Sequence, residues 1–166
     1  MKKFILLICI FIAIMFTIIP MVFGFNKFDG KLNAKTPNGY TYFKVLNNNL
    51  YNGINAKTAC PKGTFLPEIE DLMAVYCEIK GPNANYRIGS KDDFKSCSGH
   101  LYNNILATKI QETYGNQYIN FWSSTHYYNR AGDDEGIWAV TIYSNGSDGM
   151  FVNIADAEYN IICLGK

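Results

Sequence analysis

From Tyr40 onward the chain switches between stretches with a strand-like rhythm and stretches with a helical one. The segment "YTYFKVL", Tyr40 to Leu46, is rich in aromatic and β-branched residues and predicts a first strand. Asn55 to Cys60 predicts a short helix that Pro61 ends, because proline disfavours helical backbone in the residue before it. A longer helix is predicted over Pro67 to Ile79, where Ile69, Leu72, Met73, Tyr76 and Ile79 share one face. Pro67 suits the first helical position, Glu68, Glu70 and Asp71 put negative charge at the positive end of the dipole, and Lys80-Gly81-Pro82 supplies the stop. Leu101 to Tyr114 reads as a further helix, with Ser98 as candidate cap and Gly115 as stop.

Short strands are predicted at Tyr86 to Gly89, Phe121 to Thr125, Ile137 to Tyr143, Gly149 to Ile154 and Tyr159 to Gly165. Ser144 to Gly149, "SNGSDG", has the turn chemistry of a hairpin. Residues 25–39, "FNKFDGKLNAKTPNG", are polar and turn-rich and read as a linker or irregular arm. Strand, helices, strand, helix and then a run of strands is the order of an α+β domain, with two to three helices on a mostly antiparallel, twisted sheet, rather than of a parallel α/β sheet. The domain is expected over 40–166.

The beginning of the chain follows a different pattern. Met1-Lys2-Lys3 precedes the apolar run Phe4 to Ile19, and Pro20 and "MVFG" close it, which is the layout of a signal peptide over 1–24 with cleavage near Gly24. Left uncleaved, a run of about 20 apolar residues is also long enough to anchor the chain in a bilayer. A lipoprotein signal does not fit, since Cys9 lies inside the apolar core behind the large Ile8. The expected location is extracytoplasmic: secreted, periplasmic or cell-surface.

Charge and cysteine usage narrow the function classes. The formal net charge of +1 becomes −1 once Lys2 and Lys3 leave with residues 1–24, which contain no acid. A near-neutral domain lacks the basic stripe of a nucleic-acid binder and the polybasic cluster of a membrane-surface protein. Membrane contact is therefore expected only through an uncleaved N-terminal segment. Besides Cys9 there are four cysteines, Cys60, Cys77, Cys97 and Cys163, with no C-x-x-C pair among them. An even number in an exported chain points to two disulfides, with three connectivities open.

The block "INAKTACPKGTFLPEIEDL", Ile54 to Leu72, resembles the opening of C-type-lectin-like domains and of the related formylglycine-generating-enzyme superfamily, with Cys60, Gly63, Leu66, Pro67 and Glu70 on the pattern. "YRIGS" at Tyr86 to Ser90 resembles their "WIGL" strand. The nearer resemblance is to the bacterial domain at the C-terminus of collagen-like adhesins, whose "CPxGWRLPT", "YWSST" and Val-x-Cys blocks correspond to "CPKGTFLPE", "FWSST" and "IICLG" here. Thr64 and Phe65 replace the tryptophan and arginine of the first block, and Glu68 its threonine. The calcium-dependent sugar motifs of animal lectins and the copper-binding cysteine pair of the formylglycine-generating enzymes are absent. The resemblance implies a C-type-lectin-like fold and a Cys60–Cys163 bridge, and with that bridge Cys77–Cys97. It also implies recognition through irregular loops on one side of the fold.

The loops after "FWSST" concentrate groups suited to a polar ligand. Tyr127 and Tyr128 offer aromatic faces, Asn129, Arg130 and Asn145 offer donors, and Asp133, Asp134 and Glu135 offer acceptors. His126 to Gly136 and Ser144 to Gly149 are thus expected to form one ligand surface. The acidic triplet has the oxygen ligands of a calcium site without the full calcium-loop spacing, so no cofactor is assigned. Trp122 and Trp138 are expected in the core, and Ser123, Ser124 and Thr125 as partners of backbone groups rather than nucleophiles. His100 and His126 supply no dyad on spacing alone, and Glu68 and Glu70, two apart on a helix, do not form a carboxylate pair.

These residues point to a non-catalytic binding module, and the resemblance implies an adhesin-like one that recognises a glycan or protein on a cell surface. The alternative is a structural or assembly part of a pilus or envelope complex that docks through 25–39. An enzyme of undetermined type is the third reading.

Overall fold

A computed structural model of the chain describes residues 28–46, 49–87, 94–115, 118–128, 131–143 and 148–166, and only the backbone of 85–87, 94–96, 134–135 and 148. The leader or anchor over 1–24 lies outside these residues. Among the described residues no helix is long and apolar enough to cross a membrane.

Among the described residues the architecture is α+β, with three helices and sheets whose strands pair antiparallel. The two ends of the described chain meet in one three-stranded sheet. There β2 (Tyr42–Val45) lies between β1 (Phe28–Lys31) and β10 (Ile162–Gly165). A small pair, β3 (Tyr51–Asn52) with β9 (Glu158–Tyr159), leads into α1 (Gly53–Ala59), which the Asn52 side chain caps by accepting from the Asn55 N–H at 2.8 Å. Next come α2 (Ile69–Lys80), the pair β4 (Asn85–Arg87) and β5 (Phe94–Ser96), and α3 (Asn104–Tyr114). The main sheet has the order β6 (Tyr118–Tyr128), β7 (Asp134–Tyr143), β8 (Asp148–Asn153).

This sheet separates two apolar cores, as its two-residue period requires. Ile119, Phe121, Val140 and Ile142 face α2, α3 and the terminal sheet, where they pack with Phe43, Leu72, Tyr76 and Leu106. Trp122, Ile137 and Ala139 face the other way and pack with Leu46, Ala56, Leu66 and Ile161. Trp122 is fully buried, donates its indole N–H to the Tyr51 carbonyl at 2.7 Å, and lies 4.6 Å from the Tyr159 ring. Trp138 is only half-buried.

Disulfides join Cys60 to Cys163 and Cys77 to Cys97, with Cα separations of 5.7 and 5.0 Å. The first ties the end of α1 to β10, and the second ties α2 to the chain that follows β5.

Residues 28–39 differ most from the reading of 25–39 as a linker or irregular arm; 25–27 lie outside the described residues. Phe28–Lys31 is an edge strand on β2, with the Phe28 ring 5.7 Å from that of Phe43 and Asp29 paired with Lys44 at 3.2 Å. Beyond it the backbone is held by two buried acids of α2. Glu78 accepts from the N–H groups of Asn33 (2.8 Å) and Ala34 (2.7 Å), and Asp71 accepts from the N–H of Asn38 (3.0 Å) and its side-chain amide (2.8 Å). A polar segment folds here because acids on the helix satisfy its amides. The domain therefore begins by Phe28, and residues 28–38 are already engaged within the molecule.

Two helix starts also move for a local reason. α2 begins at Ile69 because Thr125 of β6 caps it, its hydroxyl accepting from the Ile69 N–H at 2.9 Å, while the carbonyl of Pro67 accepts from the Ser124 N–H at 2.7 Å. α3 begins at Asn104 because Asn103, not Ser98, is its cap, accepting from the Leu106 N–H at 3.0 Å.

Tyr114, at the end of α3, donates its hydroxyl to the carbonyls of Leu46 (2.9 Å) and Ile161 (3.2 Å). Burial, and after it the nearby Tyr51, pushes this hydroxyl well above the ordinary value of 10.0. Above that pH the unfolded chain ionises the group while the folded chain keeps it neutral. Stability is then expected to fall with rising pH, by up to about 1.4 kcal/mol per unit from this group. Urea titrations between pH 8 and 11 should show a shallower slope for Tyr114→Phe than for wild type. Equal slopes would remove Tyr114 as the cause.

Candidate functional site

The expected ligand residues fall at the hairpin between β6 and β7, and its geometry follows from two irregularities in the strand pairing. Register shifts occur between Trp122 and His126 and between Tyr127 and Tyr128. At the first, β6 carries extra residues, and Ser123 to Thr125 turn their polar groups to neighbours. Ser123 donates to the carbonyl of Trp138 at 2.7 Å, and its oxygen accepts from the Thr125 N–H at 3.2 Å. These hydroxyls satisfy backbone groups, as their composition suggests, within a bulge rather than at a strand end.

Beyond the bulge the strand presents His126, Tyr127 and Tyr128. The rings of His126 and Tyr128 stack, with centroids 6.0 Å apart and planes at 22°, and His126 Nε2 lies 2.5 Å from Lys57 Nζ of α1. A neutral imidazole with its proton on Nδ1 accepts such a contact from the ammonium. Tyr127 meets Trp138 edge-on at 5.7 Å. Tyr128 remains 58% exposed, so its outer face is open. Opposite Tyr127 stands Gly136, whose φ of 150° and contact with the Asn153 carbonyl leave no room for a Cβ. The aromatic end of the hairpin is thus seated on α1 and β8 rather than left to swing.

Asp133 is exposed beside this end, and the backbones of Asp134 and Glu135 open β7. Asn129, Arg130 and Asn145 lie outside the described residues, as do the side chains of Asp134 and Glu135 on which a calcium site would depend. Among the described residues no group of three or more His, Cys, Asp or Glu side chains gathers that could hold a metal ion.

The described residues on either side of the two expected loops do not share an end of the sheet. Tyr128 and Asp133 lie where β6 meets β7, and Tyr143 and Gly149 where β7 meets β8, at opposite ends of the ten-residue β7, roughly 30 Å apart at about 3.3 Å per residue. Residues 129–130 and 144–147 lie outside the described residues.

The far end has its own relief, which the residue pattern did not suggest. A hollow of about 600 Å³ is lined by Tyr118, Asn120, Thr141, Tyr143, Gly149, Met150, Phe151 and Tyr159. A second, of about 380 Å³, lies across Tyr118 and Tyr143 against Lys80, Tyr102, Ile110 and Gln111. The only signal available for the first was that Tyr118, Asn120, Thr141, Tyr143 and Gly149 occupy alternate positions on adjacent strands.

No family model matches the chain, and no curated protein or solved structure is significantly similar to it.

Proposed function

We propose that this chain is an exported, non-catalytic binding module of the C-type-lectin-like class, adhesin-like in role, that recognises a glycan or a protein through the end of the β6–β7 hairpin. The observation that carries this reading is the exposed Tyr128 ring stacked on His126, above a base fixed by Lys57, Trp138 and Gly136. Aromatic faces held on rigid elements give contact area at small entropic cost on binding. The two disulfides support export, since such bonds persist in oxidising compartments. The order of elements and the bridge from α1 to the last strand support the lectin-like class. The bonds from Asn33, Ala34 and Asn38 to Glu78 and Asp71 commit this stretch within the molecule, which favours this reading over docking to an assembly through 25–39.

The test uses protein recovered from the extracytoplasmic fraction, whose N-terminus is expected near Phe25. Tyr128→Ala and Asp133→Asn should each weaken adhesion to cells or matrix by about tenfold or more. Tm should stay within a few degrees, because exposed substitutions cost about 0.5 kcal/mol or less. Wild-type adhesion in both variants would reject the hairpin end as the recognition surface.

A further inference from the structure

The geometry points to a second binding site, on the open face of the β6–β7–β8 sheet, for an uncharged carbohydrate. The sheet face that packs Trp122 and Ala139 against α1 is covered at that end. Further along, among the described residues, the same face opens into the hollow of about 600 Å³, with Thr141, 8% exposed, at its bottom. Its rows follow from register: Tyr118 pairs with Tyr143, Asn120 with Thr141, and Thr141 with Gly149.

The result is a trough with aromatic walls and a polar floor. One wall is the Tyr118–Tyr143 pair, with ring centroids 5.8 Å apart and exposures of 58% and 38%. The other is Phe151 against Tyr159, which is held in turn by the Trp122 ring and by a hydrogen bond from the Asn153 side chain to its hydroxyl. Four residues of strand separate the rows bearing the walls, roughly 13 Å. That width admits a six-membered ring between them.

On the floor, Thr141 donates its hydroxyl to the Asn120 side-chain oxygen at 2.7 Å. That bond engages the Asn120 oxygen, so the amide N–H groups remain as its donors, and it leaves the Thr141 oxygen with acceptor capacity. A sugar hydroxyl both donates and accepts, so one such group can use both neighbours at once. The C–H faces of the ring meet the tyrosine rings. Gly149 completes the floor, and a Cβ built on it meets nothing within 4 Å.

The charge of the site selects within this class. None of the eight lining residues carries a formal charge, and Lys80, whose ammonium donates to the Tyr143 carbonyl, lines the neighbouring hollow instead. The lining itself therefore offers no counter-ion to a sialylated or sulfated chain, and binding such a ligand would desolvate its charge with little compensation. The site is separate from the hairpin end and stands or falls apart from it.

The experiment is calorimetric titration of the purified chain with neutral oligomers of glucose, galactose, mannose and N-acetylglucosamine, alongside sialylated and sulfated oligosaccharides. At least one neutral oligomer is expected to bind. Gly149→Leu, which fills the floor, should weaken that binding more than tenfold, and Tyr118→Ala and Asn120→Ala about tenfold each, at unchanged Tm. Glu70→Ala, exposed on α2 and outside both surfaces, should leave it within twofold. Should Gly149→Leu unfold the chain, Tyr118→Ala decides, since that side chain is exposed. The site is rejected if no neutral oligomer binds, if only acidic ones do, or if Tyr118→Ala and Asn120→Ala bind as wild type. Adhesion lost in Tyr128→Ala without any sugar binding would leave the hairpin end in place and remove the trough alone.

Discussion

Replacing Cys60 and Cys163 by alanine is expected to destabilise the domain by roughly 4.7 kcal/mol, against roughly 3.3 kcal/mol for Cys77 and Cys97. The difference comes from the closed loops, 103 residues for the first bridge and 20 for the second, because the longer loop removes more freedom from the unfolded chain. Topology adds to the contrast. The Cys60–Cys163 bridge joins α1 to β10, which itself pairs with β2, so its loss loosens the attachment of the last strand to the rest of the fold. Cys163 is fully buried among Trp122, Leu66 and Ile161, and alanine there also leaves unfilled space. Each kcal/mol shifts Tm by about 3–5 °C for a domain of this size. The Cys60/Cys163 variant should therefore melt on the order of 5 °C or more below the Cys77/Cys97 variant. Thermal melts of both double variants check the order. Equal melting temperatures, or a lower one for Cys77/Cys97, would show that native contacts around the shorter bridge outweigh chain entropy.

How much of this was legible beforehand depended on whether a segment's neighbours impose a pattern on it. α2 was readable because one apolar face, a proline, three acids and a glycine stop all lie within the segment. β6 was readable only at its centre. Phe121 and Trp122 mark the buried strand, but Ser123 and Thr125 read as its end and His126 as the start of a loop, since a bulge filled with side-chain hydrogen bonds looks polar. Residues 28–38 read as a linker or irregular arm for the same physical reason. The N–H groups of Asn33, Ala34 and Asn38 are satisfied by Glu78 and Asp71, which lie 33 to 45 positions away in sequence. Phe28 and Leu32 hinted that the stretch packs. Splitting the expected ligand surface in two required the register of β7, which fixes which loops share an end and which residue composition does not carry. The trough escaped notice because a half-covered sheet face has the same alternation as one open to solvent. The Cys60–Cys163 pairing, by contrast, followed from family resemblance and agrees with the structure.

Glu78→Ala is expected to be among the most damaging single substitutions of a polar residue, on the order of 3–5 kcal/mol, because it leaves several buried donors unpaired. The Glu78 carboxyl is 2% exposed and accepts from three donors: the N–H groups of Asn33 and Ala34 and, at 3.0 Å, the side-chain amide of Asn103. The same amide donates to the Lys31 carbonyl at 3.0 Å, and the other end of the Asn103 side chain caps α3. One carboxyl thus joins α2, the N-terminal stretch after β1 and the start of α3. Removing it strands donors that each cost roughly 1–3 kcal/mol when left unpaired, a figure reduced wherever water reaches the more exposed Asn33. Glu78→Gln should cost less than Glu78→Ala, because its oxygen still accepts one bond while its NH2 faces a donor. Glu70, exposed on the same helix, is the control, and Glu70→Ala should change stability by no more than about 0.5 kcal/mol. Hydrogen exchange separates a local from a global effect. In Glu78→Ala the amides of Asn33 and Ala34 should lose protection beyond what the global change in stability accounts for, because their acceptor is gone while the core between α2 and the main sheet is intact. Stability equal to that of Glu70→Ala, with both amides still protected, would mean that β1 pairing alone holds the N-terminal stretch in place.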